Sequence, residues 1–224
     1  MTPEQASRIA RTAEYVRAEM RGDSSGHDWW HVHRVRNLAV RLAEREQADA
    51  YIVELAALLH DISDYKLNGG DHERGPWLAA GWIRGLGEAE GVAAAVAEII
   101  AGVSFAGAGV PPKPLSLEGQ VVQDADRLDA IGAIGVARAF AFGGHAGELM
   151  HEPGRPPQPH ASAEAYLNRD STTINHFYEK LLLLKDRLNT PGARQIAQHR
   201  HEFLEAFLAE FLAEWDASDV ARFR

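Results

Sequence analysis

The stretch YIVELAALLHDI, residues 51–62, constrains the fold more than any other part of the chain. As a helix it is apolar nearly all round, so it has no face to give to water, and such a helix is stable only when other helices surround it. Its ionisable residues are Glu54, His60 and Asp61. The sequence therefore predicts a helix over 50–62 in the middle of a bundle.

The rest of the chain agrees with an all-α reading, since helical periodicity dominates and strand-like alternation is nearly absent. Thr2 followed by Pro3 is a helix start, with Thr2 as N-cap and Pro3 in the first turn, and this helix is expected to reach about residue 20. A turn-rich break over 22–26 follows. A second helix begins near residue 30 with Val32, Val35, Ala39 and Leu42 on one stripe. Further helices are predicted at about 76–86 and 89–103, then a Gly/Pro loop over 104–116 ending in a Ser116 cap, and one or two helices within 118–142. The segment 143–170 is too long and too Pro-rich for a simple connection, as lids and mobile segments often are. Amphipathic helices over 173–188 and 191–215 close the chain. With no internal repeat and no evident linker, residues 1–224 read as one domain. At this length folding removes roughly 70 to 75% of the unfolded surface from water, so no staple is needed merely to fold.

Composition narrows the chemistry. The chain has no cysteine, which excludes thiolate metal sites, disulfides and cysteine nucleophiles, and leaves any metal to His, Asp and Glu. A net charge of −9 argues against a general nucleic-acid binder. The N-terminus lacks the apolar core of a secretory signal, and the longest apolar runs, such as AVAEII and LLLL, fall well short of the ~20 residues of a membrane span. The expectation is a cytoplasmic protein with no membrane partner.

Three clusters stand out. His60 and Asp61 end the apolar helix, where desolvation is costly unless each group is paired. Either they bond nearby backbone or they hold a metal. QDADRLDA places Asp124, Asp126 and Asp129 close together in one helix, where they repel. A solvated face is the ordinary explanation, and a bound cation is the other. GHDWWHVHRV holds His27, His31 and His33. His31 lies one turn before Val35, beside the apolar stripe, whereas His33 falls on a different face and His27 precedes the helix. The His27-Asp28 pair follows a loop and is not the expected ligand pair. Trp29 and Trp30 read as core anchors.

HVHRV at 31–35, LLHDI at 58–62 and DADRLDA at 124–130, in that order, resemble the H…HD…D signature of the HD-domain phosphohydrolases. Together with GHDWWHVHRV, VQDADRLDAIGAIGVARAFAFGG and NHFYEKLLLLKDRLNT, the chain is most similar to small stand-alone bacterial HD proteins, including nucleoside triphosphate pyrophosphohydrolases. The resemblance implies a single all-α HD-domain helical bundle, core about 26–142, with a C-terminal helical extension. It implies His31, His60, Asp61 and Asp126 as metal ligands, Asp126 being the aspartate directly before the basic Arg127. His27 and His33 are then not ligands, and Asp124 and Asp129 have supporting or structural roles.

Two imidazoles and two carboxylates suit one divalent first-row ion. Manganese is the expected ion, and iron, cobalt, nickel or zinc would accept the same set. Such an ion lowers the pKa of water and polarises a phosphoryl group. Asp64 and Glu73 are candidates for positioning the attacking water, and His72 for protonating a leaving group. Lys66, Arg127, His176 and Lys180 are candidates for substrate binding, with Lys185 as further positive charge; His176 and Lys180 share a helix face by their i, i+4 spacing. The expected reaction is hydrolysis of a nucleoside or deoxynucleoside triphosphate to monophosphate and pyrophosphate. Nucleotidase or phosphodiesterase action on another phosphoester, and a nucleotide-sensing module without catalysis, are the alternatives. A complete ligand set argues against the last. A homodimer through the terminal helices is a further expectation.

Overall fold

The computed structural model describes residues 1–21, 28–63, 71–105, 109–110, 113–158, 162 and 171–223. Nine α-helices and two 3-10 helices are found among them, and no strand. Helix α1 is Pro3–Glu19, opened by Thr2: the Gln5 amide donates to Thr2 Oγ1 and the Thr2 amide to Gln5 Oε1, which satisfies two N-terminal donors at once. Helix α2 is Trp29–Glu46 and α3 is Ala50–Leu59. Asp49 caps α3 through the amides of Tyr51 and Ile52.

Helix α3 sits in the middle, as its composition requires. It packs against α1, α2, α5 (Glu90–Val103) and α6 (Leu117–Asp129), and residues Leu55 to Leu59 are all 0% exposed. Its single internal acid, Glu54, is buried and accepts from Arg36 of α2, so the charge is paired where it leaves water. The helix stops at Leu59 rather than near residue 62. The Ile62 amide turns back to the Leu59 carbonyl at 3.1 Å, and residues 60–63 form a turn.

Helix α4 (Arg74–Gly85) lies along α5. Ser116 caps α6 as predicted, accepting from the Gly119 amide. The span 118–142 resolves into two helices, α6 and α7 (Gly132–Ala146), because Gly132 takes φ +76° and breaks the path between them. A side chain there would be strained, and its Cβ would also meet the Arg200 side chain at 3.0 Å. Helix α7 runs into the segment predicted to be a loop. Beyond it, the Thr173 and Ile174 amides bond the carbonyls of Leu149 and Met150.

The helix expected over 173–188 is shorter. Helix α8 covers Thr173–Glu179, Lys180 leaves helical geometry, and Leu181–Arg187 continues as a 3-10 helix. The last long helix, α9 (Pro191–Trp215), opens on Thr190 and Pro191 and packs on α7, α6 and α2. No helix among the described residues is long and apolar enough to cross a membrane.

Candidate metal centre

Four side chains from three elements converge at one end of α3. The first turn of α2 supplies His31, the turn after α3 supplies His60 and Asp61, and α6 supplies Asp126. Asp28, directly before α2, accepts from the His31 amide at 3.0 Å and so fixes where α2 begins. That is the role of the carboxylate in the His27-Asp28 pair; His27 lies outside the described residues. His33 points elsewhere, with Nε2 3.0 Å from Asn37 Nδ2 and its ring beside Trp29 and Trp30. Trp30 is 57% exposed and is not a core anchor, whereas Trp29 packs on the core.

One donor each from His31, His60 and Asp126 lie within 4.8 Å of one another. His31 Nε2 is 3.2 Å from His60 Nε2, 3.3 Å from Asp61 Oδ2 and 3.5 Å from Asp126 Oδ1. His60 Nε2 is 3.7 Å from Asp61 Oδ2 and 3.9 Å from Asp126 Oδ1. Two donors bonded at ~2.1 Å to one ion lie about 3.0 Å apart at a right angle and about 3.4 Å apart at a tetrahedral angle. The donors of His31, His60 and Asp126 stand close to the spacing that one small cation would impose, and Asp61, outside that set of three, meets the two histidines.

Tautomers support the same fit. His60 Nδ1 lies 2.8 Å from the Ala57 carbonyl, which can only accept, so Nδ1 carries the hydrogen. His31 Nδ1 lies 2.8 Å from Asp129 Oδ2, and Asp129 is held well below the usual carboxylate range: burial pushes it up, but His31, Arg34 and Arg138 outweigh that. An ionised carboxylate also only accepts, so His31 carries its hydrogen on Nδ1. In the neutral rings both Nε2 lone pairs then face each other at 3.2 Å, an arrangement that a cation between them relieves. One ring nitrogen of His60 thus bonds backbone, as the first of its two readings expects, while the other faces the cluster.

The electrostatics follow. Burial and the Arg138 charge push His31 down, yet its contacts with Asp129 and Asp61 carry it above its ordinary value. Asp126 is raised by burial but lowered further by His60 and His31, and ends below its ordinary value.

The acidic stretch of α6 is no solvated face, because Asp124 is 0% and Asp129 4% exposed. The three carboxylates have separate partners. Asp126 faces the histidines. Asp124 accepts from both the amides and the side chains of Asn189 and Thr190, tying α6 to the start of α9. Asp129 accepts from His31 and from Arg34 Nε and Nη2, and forms an ion pair with Arg138, whose Nη1 stands 3.1 Å from Oδ2.

The remaining candidates fall in several places. Asp64 and Lys66 lie outside the described residues. His72 and Glu73 are exposed at the start of α4. Arg127 is buried and donates to the Arg187 carbonyl; burial lowers its pKa to about 10 against the nearby charges of Asp124 and Asp126. Lys180 sits half-buried at the end of α8 with its ammonium 5.3 Å from the centre of the Phe105 ring, and the Arg187 guanidinium stands at 5.3 Å from the same ring. His176 is half-buried on α8 and Lys185 half-buried on the following 3-10 helix. Arg34 and Arg138 were missed by sequence reasoning. Arg34 follows His31 at i+3 and so shares its face, a usable signal, whereas nothing local marks Arg138.

The HD domain family model matches residues 29–131, which contain all four convergent side chains. The Bacillus subtilis (strain 168) protein YpgQ is 40% identical over 203 residues, 88% of each chain. A solved structure from Lactobacillus plantarum superposes with a TM-score of 0.85 at 38% identity, covering 97% of this chain and 99% of that one. An HD-superfamily hydrolase from Bacillus thuringiensis gives 0.73 at 41% identity, over 95% and 99%. The structure of Bacillus subtilis YpgQ in complex with ADP gives 0.73 at 36% identity, over 94% and 96%. The chain belongs to the HD-domain family of hydrolases.

Proposed function

We propose that the protein is a metal-dependent phosphohydrolase acting on nucleotides, and that it hydrolyses nucleoside or deoxynucleoside triphosphates to monophosphate and pyrophosphate. The observation that carries the reading is the convergence of His31, His60, Asp61 and Asp126, with His31 Nε2 3.2 Å from His60 Nε2 and within 3.5 Å of an oxygen of each aspartate. Binding of ADP by YpgQ supports a nucleotide as the ligand class.

The four side chains would hold one divalent ion, manganese in the first instance, which supplies an acidified water and an electrophile for the phosphoryl oxygen. Asp129 and the Ala57 carbonyl keep the two rings in the ligating tautomer. Water attacks the α-phosphorus, the bond from that phosphorus to the bridging oxygen breaks, and pyrophosphate leaves with the bond electrons. Lys180 and Arg187, together at the Phe105 ring, are suited to the charge of the leaving phosphates. The overall charge of −9 does not oppose an anionic substrate, because the local field at the ion decides. Asp64, Glu73 and His72 remain the candidates for handling protons on the attacking water and the leaving group.

The test is chromatography of products from a panel of ribo- and deoxynucleoside mono- and triphosphates incubated with Mn²⁺-loaded protein. Monophosphate with pyrophosphate is the expected outcome. Inorganic phosphate released from monophosphates would replace the reading by a nucleotidase, and binding without any turnover would replace it by a sensing module.

A further inference from the structure

We infer that Asp129, gripped by Arg34 and Arg138, is a positioning residue for His31, so that metal affinity depends on a side chain from beyond the matched HD segment. The inference rests on the reading of His31 as a metal ligand. Helix α2 contributes His31 and Arg34, α6 contributes Asp129, and α7 contributes Arg138, which lies past residue 131 where the family match ends.

Arg34 takes the carboxylate through Nε to Oδ1 at 2.8 Å and through Nη2 to Oδ2 at 3.0 Å. This paired grip fixes the plane of the carboxylate as well as its place. Arg138 Nη1 stands 3.1 Å from Oδ2, the same oxygen that His31 Nδ1 meets at 2.8 Å. The imidazole is thus pinned at Nδ1 by a group that can only accept, and its Nε2 has a single direction in which to point. Asp129 is 4% exposed and the Arg138 side chain 16%, so water does not replace these partners. Helix α9 backs the assembly, since Arg200 donates to the Leu128 carbonyl and lies against Gly132 at the α6–α7 junction. Asp129 touches no substrate in this account and acts through the ring it holds.

Asp129→Asn keeps the size of the side chain and one acceptor but turns an amide NH₂ toward a cluster of donors. Mn²⁺ titration of the metal-stripped variant should give an affinity weaker by about 10- to 100-fold, the usual penalty for losing the partner of a ligating histidine. Arg138→Gln should weaken binding in the same direction, and Arg138→Lys should restore most of it. Nitrogen-15 spectra of the metal-free wild type at alkaline pH should show His31 with its hydrogen on Nδ1, and Asp129→Asn should lose that preference. Wild-type-like Mn²⁺ affinity in both Asp129→Asn and Arg138→Gln, within about twofold, overturns the inference. So does a wild-type His31 with its hydrogen on Nε2. Should Asp129→Asn fail to fold, Arg138→Gln and the wild-type spectrum still decide. A wild type that binds no Mn²⁺ at all removes the metal reading itself, a separate failure.

Discussion

His31 has a different partner on each ring nitrogen, and its titration ties the two together. A protonated ring cannot ligate, so an ion must displace the second proton, and metal affinity is coupled to pH. Because the pKa of His31 stands above its ordinary value, Mn²⁺ affinity is expected to keep rising as pH passes about 6.5. Calorimetry should show protons released to the buffer. Affinity that is flat from about pH 6 to about pH 8 would contradict this. In the metal-free protein the sign is opposite: a raised folded-state pKa contributes stability that is fully present below about 6.5 and is lost as pH rises through the folded value. Asp129, depressed by its cationic partners, contributes stability present above about 3.9 and lost as pH falls through its folded value. Of the residues concerned, His31 was legible from its place beside the apolar stripe of α2, whereas His60 and Asp61 were legible as a costly pair ending an apolar helix and were named ligands through the resemblance. By spacing alone Asp124, Asp126 and Asp129 were legible only as a cluster, and the family resemblance singled out Asp126. Which of them meets the histidines depends on how α6 rotates against α2, and local spacing does not carry that.

At the scale of elements, α3 was read correctly from its lack of a polar face, and the Thr2 and Ser116 caps from the residue types that cap helices. The boundaries that differ have local causes absent from hydrophobic periodicity: the turn at Ile62, the positive φ of Gly132 and the departure of Lys180 from helical geometry. Asp124 shows what binds the C-terminal helices to the rest. It is fully buried and takes donors from Asn189 and Thr190, the residues that open α9. Asp124→Ala strands above all the buried amide and hydroxyl of Thr190, at about 1 to 3 kcal/mol each, so a loss of about 3 kcal/mol is expected. At this chain length that lowers Tm by roughly 6 to 12 °C. A thermal melt checks it, and a Tm within about 2 °C of wild type would show that the clamp contributes little.

For the whole molecule, the proposed ion would join elements far apart in the chain, since its ligands would come from residues 31, 60, 61 and 126. An ion that binds only the folded state at a concentration of 100 Kd adds about 2.7 kcal/mol. Saturating Mn²⁺ should therefore raise Tm by roughly 5 to 11 °C, and a chelator should reverse it. No change in Tm would mean that the donors do not act together. The most direct test of the central claim is to titrate metal-stripped wild type and His60→Ala with Mn²⁺ while following triphosphate hydrolysis. The account predicts one ion per wild-type chain, turnover that rises in step with occupancy, and loss of both in His60→Ala. Full turnover by stripped protein that holds no ion would contradict it.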